Sequence, residues 1–380
     1  MADRMIKVAA GRHARLDAPV TVPAAGLEPG APVAVAGPDG ARLPAQVVEC
    51  CGEALLAFLL PKAARGEVLE YRLLPGESAG GPGVEVSPGG ADRLEVKVGG
   101  ELFTAYNYSR ELYRPNFYPV RMGGTHITRD YPMGQGPEGE STDHIHHRSL
   151  YVAHGDVNGV DNWGEGKSAG RTWHERFDCV FGGPVLGGLC STNAWVDAEG
   201  RKVVTERRWA TFWYQPGSGR LLDLRVEFEA TEGPVTFGDT KEGGMVSVRL
   251  ATSMDGKHGG TIRNAYGGLA EAETWGKRAE WVDYYGQVAG RTYGISVYEH
   301  PSSFRYPTYW HVRDYGLFAA NPFALRDYYN DKSVDGSHQV PAGGKLSFRY
   351  RLYFHPGDTD EAGVPERYHD LINPPQAELG

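Results

Sequence analysis

Asp143-His144-Ile145-His146-His147-Arg148 places three imidazoles, a carboxylate and a guanidinium in six consecutive residues, with one apolar side chain among them. An unpaired buried polar group costs about 1–3 kcal/mol, so His144, His146 and His147 need partners in protein, water, metal or substrate. Read as a strand, the run turns His144 and His146 to one face and Asp143, Ile145 and His147 to the other. A short arch or bulge brings the two sets together instead. Imidazoles titrate near neutral pH and ligate metals, so two chemistries are open. In one, His147 exchanges protons, Asp143 orients an imidazole as carboxylates do in triads, and Arg148 binds substrate. In the other, His144 and His146 form an H-x-H pair on a divalent metal such as Fe, Mn or Zn, completed by a remote His or Glu.

Three further segments concentrate reactive side chains. Gly238-Asp239-Thr240-Lys241-Glu242-Gly243-Gly244 sets Glu242 beside Lys241 just before a strand beginning near Met245. That suits a general base or a group orienting a substrate hydroxyl; a solvated loop with an ion pair is the plain alternative. The segment from Trp275 to Tyr285 interleaves aromatics with charge, as sugar sites do, because pyranose C–H faces stack on indole while hydroxyls bond to Arg and Asp. Trp and Tyr also serve as core. From Tyr309 to Gly316, an extended chain puts His311, Arg313 and Tyr315 on one face and Trp310, Val312 and Asp314 on the other. A proton carrier, an anion or hydroxyl clamp and a phenol then converge. Arg114, Asn158, Trp163 and Asn321 join Arg148, Lys241, Trp275, Trp310 and Arg313 as candidate substrate binders. Asp156, Asn158 and Asp161 superficially suggest a calcium loop, but the glycine and bidentate Glu of an EF-hand are missing, and Asn158-Gly159 reads as a tight turn.

The elements that must position these groups are strands. In Leu222-Asp223-Leu224-Arg225-Val226-Glu227-Phe228-Glu229 apolar and charged residues alternate, the pattern of a half-buried strand. The same period marks Val203–Trp213, Met245–Leu250, Tyr293–Tyr298 and Phe348–Phe354, with Gly/Pro/Asp turns between them. The best helical segment, Glu366–Ile372, is short. Residues 1–90 differ in texture: Ala, Val, Pro and Gly dominate, there is one histidine, and a Gly/Pro/Ser stretch closes them. The expected organisation is therefore all-β, with a small N-terminal β-sandwich and linker over 1–90 and a large antiparallel sandwich over 91–380 carrying the chemistry. A net charge of −9 without a Lys/Arg block tells against nucleic acid. The first residues lack the apolar run of a secretory signal, and no apolar stretch reaches membrane-spanning length, so the expected setting is cytoplasmic. Four cysteines show no disulfide framework: Cys50 and Cys51 are adjacent, and Cys179 and Cys190 fit facing strands as reduced thiols.

The His-rich run, Gly155-Asp156-Val157-Asn158-Gly159, Asp239-Thr240-Lys241-Glu242-Gly243-Gly244 and Tyr309-Trp310-His311-Val312-Arg313-Asp314-Tyr315-Gly316 together resemble the signature blocks of the PmoA family, soluble bacterial proteins labelled "methane oxygenase". The likeness spans roughly Phe103 to Pro356. It implies a galactose-mutarotase-like supersandwich and a role in carbohydrate catabolism; the label itself does not fit, since a methane oxygenase subunit must span a membrane. Ile145 and Ser149 stand where the commoner DHPHHRG form has proline and glycine, which bears on the local backbone turn. Glycoside hydrolysis needs paired carboxylates, whereas epimerisation, mutarotation and β-elimination need one carboxylate with His or Tyr. The expected function is thus acid–base chemistry on a sugar, keto-sugar or sugar acid, with Glu242 as base and His311 or His147 as acid. A metal-dependent enzyme and a non-catalytic sugar-binding protein are the rivals. The expected partner is a small carbohydrate; self-association is left open and no cofactor beyond the divalent metal is indicated.

Overall fold

The two-residue alternation becomes strands almost wherever it occurs. In the computed structural model, which describes residues 4–50 and 52–380, Arg220–Glu229 buries Leu222, Leu224, Val226 and Phe228 on one face and turns Asp223 and Arg225 to the other. It lies inside an eight-stranded antiparallel sheet ordered Arg171–Phe181, Leu186–Val196, Lys202–Trp213, Arg220–Glu229, Lys345–Pro356, Arg291–Glu299, Trp281–Val288, Thr261–Asn264. A second sheet runs Trp310–Val312, Leu317–Ala320, Gly243–Arg249, Leu150–His154, Asn116–Met122, Glu101–Asn107, Arg93–Val98, Val84–Pro88, with Thr125–His126 paired to Asn116–Met122. The inner faces of the two sheets share one core, where Phe103 meets Phe212 and Phe354 across the sandwich at ring separations of 6.0 and 5.0 Å.

The N-terminal unit has its own sheet and its own core, built on Ile6, Val20, Val35, Leu56, Phe58 and Leu73. Its boundaries differ from those expected in two ways. The strand Val84–Pro88 falls inside the stretch read as linker, yet it pairs with Arg93–Val98 as an edge of the large sandwich. The chain's last strand, Gln376–Leu379, returns to pair antiparallel with Met5–Ala9, so the small unit is closed by residues from both ends. Glu366–Ile372 is helical, within Val364–Ile372. Two one-turn helices, Ala270–Thr274 and Leu325–Tyr329, were not visible as a 3.6-residue period because each is too short to show one.

The cysteines correct a second expectation. Cys179 does face Cys190 in strand register, but its sulfur is bonded to Cys50, 129 residues earlier, which ties the small unit to the large sheet. Cys51 lies outside the described residues. Disulfides persist in oxidising compartments and are rare in the cytosol, so this pairing weighs against a cytoplasmic setting. No helix among the described residues is long and apolar enough to cross a membrane. A cross-link closing so long a loop contributes about 5 kcal/mol in the chain-entropy treatment. Replacing Cys50 and Cys179 together by serine is therefore expected to lower the melting temperature by several degrees or more; a melt identical to that of the oxidised wild type would show that the link is absent or inert.

Candidate functional site

Sheet topology brings the four polar segments together. Trp310–Val312, Leu317–Ala320, Gly243–Arg249 and Leu150–His154 are successive neighbours, and His311, Ala319, Ser247 and Tyr151 form one cross-strand row. The alternate residues Val312, Phe318, Val248 and Leu150 point into the sandwich core. Small residues between His311 and Tyr151 leave room above the sheet, and the loops at its end close around a cavity of about 550 Å³. His144, His146, His147, Trp163, Lys241, Glu242, His311, Arg313 and Tyr315 line it, with Gly155 and Asp161.

The histidine run is a turn, not a strand. His147 N–H donates to the His144 carbonyl at 2.9 Å, and His144 and Ser149 both have left-handed backbones (φ 41° and 60°). Ser149 thus occupies a conformation that favours glycine, the residue of the commoner form; its hydroxyl is buried and donates to Thr128 Oγ1 at 2.7 Å. The turn stacks the His144 and His147 rings at 4.8 Å, with His146 edge-on at 4.5 Å from His147, and Tyr315 packs nearly parallel to both, 4.9 Å from His144 and 6.2 Å from His147.

Three buried arginines hold this turn. Arg114 donates to the carbonyls of His146, Asn162, Trp163 and Gly164 and to Glu165. Arg129 donates to the carbonyls of Ser141, Asp143, His144 and His147 and, at 2.7 Å, to the Asp143 carboxylate. Arg249 donates to Asp143 at 2.7 Å and to His147 Nδ1 at 3.1 Å. A guanidinium cannot accept, so His147 Nδ1 is the acceptor and its proton sits at Nε2. Asp143 receives His144 Nδ1 at 3.1 Å, the imidazole-orienting contact expected of it. Burial acts to raise the Asp143 carboxyl, but Arg249 and hydrogen bonds from Ser141 and His144 outweigh it and bring it down to about 2.

Burial and nearby cations keep three of the imidazoles neutral. His146 is lowered to about 4 by burial and Arg114. His147 is pushed well below the usual range by burial, His146 and Arg249, and His311 is lowered to about 3 by burial, Arg313 and Lys241. An imidazolium acid at His311 or His147 is therefore not what the site contains near pH 7; each is a neutral ring with one N–H and one lone pair. Five polar groups on the cavity lack a protein partner among the described residues: His146 Nε2, Trp163 Nε1 and His311 Nδ1, all buried, and the Glu242 carboxylate and Lys241 ammonium, which do not pair with each other.

Several residues expected at the site serve it from behind. Trp310 is fully buried and its indole donates to the Ala279 carbonyl, so it offers no platform. Trp275 packs under Arg313 and against Tyr328, outside the cavity lining. Arg114 and Arg148 are committed to carbonyls and to Glu165, which Arg148 grips at 2.5 and 2.7 Å. Asn321 donates to the carbonyls of Thr240 and Lys241 at 2.9 and 3.2 Å and shapes that loop. Asn158 and Gly159 form the tight turn, both with positive φ, and Asn158 bridges to Pro234 and Thr236. Arg129, Arg249 and Asp161 were missed. Arg249 left the clearest signal, as a lone cation ending an otherwise apolar strand. For the metal reading, no three of His, Cys, Asp and Glu among the described residues are arranged to hold an ion, so His144 and His146 find no third protein ligand.

In overall structure the chain is similar to a protein in glycosyl hydrolase family 38 from Enterococcus faecalis, with a TM-score of 0.50 and 10% identity; the match covers 100% of this chain and 47% of that one. At that identity the likeness concerns the fold. No curated protein matches the sequence significantly. A family model described as a family of unknown function matches residues 93–369, which takes in the whole cavity and most of the chain, and the protein accordingly belongs to that family, DUF6807.

Proposed function

We propose that the chain is an enzyme that moves a proton on a carbohydrate, at a carbon beside a carbonyl, with Glu242 as base. The observation that carries this is the set of unpartnered groups on one cavity: a carboxylate, an ammonium, an indole N–H and two ring nitrogens. Polar groups left without protein partners suit a ligand bearing several hydroxyls, since each unmade hydrogen bond is costly. The four segments that resemble the PmoA family all contribute to this cavity, which supports the carbohydrate reading; so does the fold neighbour from a glycosyl hydrolase family.

Neutral imidazoles favour one kind of reaction over the other. Glycoside hydrolysis requires a protonated acid and a second carboxylate across the bond. Asp161, the other carboxylate on the cavity, accepts the backbone N–H groups of Trp163 and Gly164 at 2.9 Å and so caps a turn. Proton abstraction next to a carbonyl needs one base and neutral or cationic donors at the oxygen where charge develops, and a neutral imidazole serves there. In this reading Glu242 takes the C–H proton, the electron pair moves onto the carbonyl oxygen, and His147 Nε2–H with Lys241 and Arg313 stabilises the enolate. Returning the proton to the other face gives epimerisation; loss of a β-substituent gives elimination.

Incubating the protein with aldoses, uronates and 3-keto sugars in D2O is expected to wash deuterium into one carbon of a reactive sugar. Glu242→Gln should slow that exchange by about 10²–10⁴ fold while moving the melting temperature little, because the carboxylate has no protein partner to lose. His311→Asn should also lose activity, and, since His311 is 3% exposed, some stability as well. Exchange at the wild-type rate in Glu242→Gln would remove the proposal.

The depressed imidazoles also fix two pH dependences. An unfolded histidine titrates at about 6.5, whereas folded His146 and His311 titrate at about 4 and about 3. Between these values the unfolded chain binds more protons, so stability is full above about pH 6.5 and is lost as pH falls toward 3, each group contributing up to about 1.4 kcal/mol per pH unit. Melting curves from pH 7 to 4 should fall accordingly. In the rate profile, by contrast, His146, His147 and His311 should contribute no inflection near pH 6.5; a step there that vanishes in His147→Gln or His311→Asn would mean that a charged imidazole does the chemistry.

A further inference from the structure

The aromatic-and-charge pattern sought around Trp275 occurs in a different place, on the outer face of the eight-stranded sheet. There the small N-terminal unit and the helix Val364–Ile372 overhang the sheet and enclose a groove of about 510 Å³, within the roughly 300–1,000 Å³ of small-ligand sites. Strand register builds its floor in two rows: Trp209, Arg225 and Arg349 are successive partners, and so are Thr211, Asp223 and Arg351. Asp223 is fixed by Arg351 at 2.6 and 2.8 Å and by the Trp213 indole N–H at 2.9 Å. Arg225 lies over the half-buried Trp209 ring at 4.5 Å and pairs with Glu227 at 2.6 Å.

Two cations in this groove are not used up. Arg351 is 5% exposed, and its Nη1 is buried without a hydrogen-bond partner. The exposed Arg349 side chain has no ion pair or hydrogen bond among the described residues and stands directly opposite Arg225, a like-charge pairing that destabilises a sheet. On the acidic side, Asp223 is held by Arg351 and Asp370 by Arg15, while Glu53 on the far wall is exposed to water. A buried guanidinium N–H with nothing to donate to, beside a second free guanidinium, calls for an anion with paired oxygens, and the neighbouring indole calls for a flat apolar face. A uronate carries both on one ring.

We propose that this groove is a second ligand site, separate from the Glu242 cavity, that binds an acidic oligosaccharide by its carboxylates, with Arg349 and Arg351 as the carboxylate clamp and Trp209 as the stacking surface. It needs the two units held together, as the Cys50–Cys179 link on its wall provides. The test is calorimetric titration of the full oxidised chain with tetragalacturonate, and with maltotetraose as the uncharged control. Tetragalacturonate should bind and weaken with added salt, and maltotetraose should bind at least tenfold more weakly. Arg349→Glu, at an exposed position, and Trp209→Ala should each weaken tetragalacturonate at least tenfold, whereas Glu242→Gln should leave it unchanged, which separates this site from the proposed catalytic one. No binding, equal binding of the uncharged sugar, indifference to both groove variants, or loss in Glu242→Gln would each overturn the assignment. Circular dichroism of the two groove variants shows whether a loss reflects unfolding; if Trp209→Ala is unfolded, Arg349→Glu decides.

Discussion

Arg114, Arg129 and Arg249 are all at most 1% exposed, and each spends its guanidinium on the loop that carries the histidines. Taking such a cation out of water costs several kcal/mol even after relaxation. It persists only where good geometry returns that cost, and here the acceptors are chiefly backbone carbonyls of residues 141–147 and 162–164, with Asp143 and Glu165 as counter-charges. The turn is exposed to water on its outer side at residues 142–145 and is held in one conformation from its inner side, where the guanidinium groups bond its carbonyls. Removing Arg114 or Arg129 would strand several carbonyls at once, and removing Arg249 would strand His147 Nδ1, so the loop and the arginines form a single cooperative unit.

That unit also sets the electrostatics of the cavity. Burial first, and then nearby cations, disfavour any further positive charge on His146, His147 and His311: Arg114 acts on His146 and Arg249 on His147, while His311 feels Arg313 and Lys241 on the cavity wall. The single hydrogen bond from Arg249 to His147 Nδ1 does two things: it anchors the ring and it assigns the proton to Nε2. His146, His147 and His311 therefore act as fixed dipoles, and Glu242 and Lys241, at the mouth of the sheet, are left to meet a ligand's charge. This arrangement is compatible with the proposed proton transfer through a neutral electrophile and disfavours imidazolium chemistry.

How much of this was legible in the sequence depended on whether the signal was local. Period-two strands such as Arg220–Glu229 and Lys345–Pro356 were legible because each residue's face is set by its own chain, and so was the split between His311, Arg313, Tyr315 and the buried Trp310, Val312. Clusters such as the histidine run and Lys241-Glu242 stood out because dense polar residues are rare in β cores. What was hidden was non-local. Trp310 as core rather than platform depends on what the opposite sheet contributes. The role of Arg129 depends on carbonyls 12–18 residues away, the Cys50–Cys179 bond on how two units dock, and the closing strand Gln376–Leu379 on an edge left open at the other end of the chain. Arg114 and Arg148 were recognised as important types but assigned to substrate, because sequence shows a guanidinium without showing which carbonyls or carboxylates surround it.

Convergence of the four polar segments rests on backbone hydrogen bonding more than on side chains. His154 faces Gly243, Ser247 faces Ala319, and Ala319 faces His311, so ladder register alone brings residues separated by more than 150 positions to one end of a sheet. Glycines at the crossing points allow the approach: a Cβ on Gly155 would meet the Glu242 carbonyl at 2.8 Å, and one on Gly243 would meet His154 Nδ1 at 2.5 Å. The last strand of the series, Trp310–Val312, is an edge of only three residues. Its place is held from below by the Trp310 indole in the core and from the side by Arg278 pairing with Tyr309. The cavity face thus sits beside a short edge strand and long loops, with rigidity supplied by the buried arginines on one side and by the sandwich core on the other.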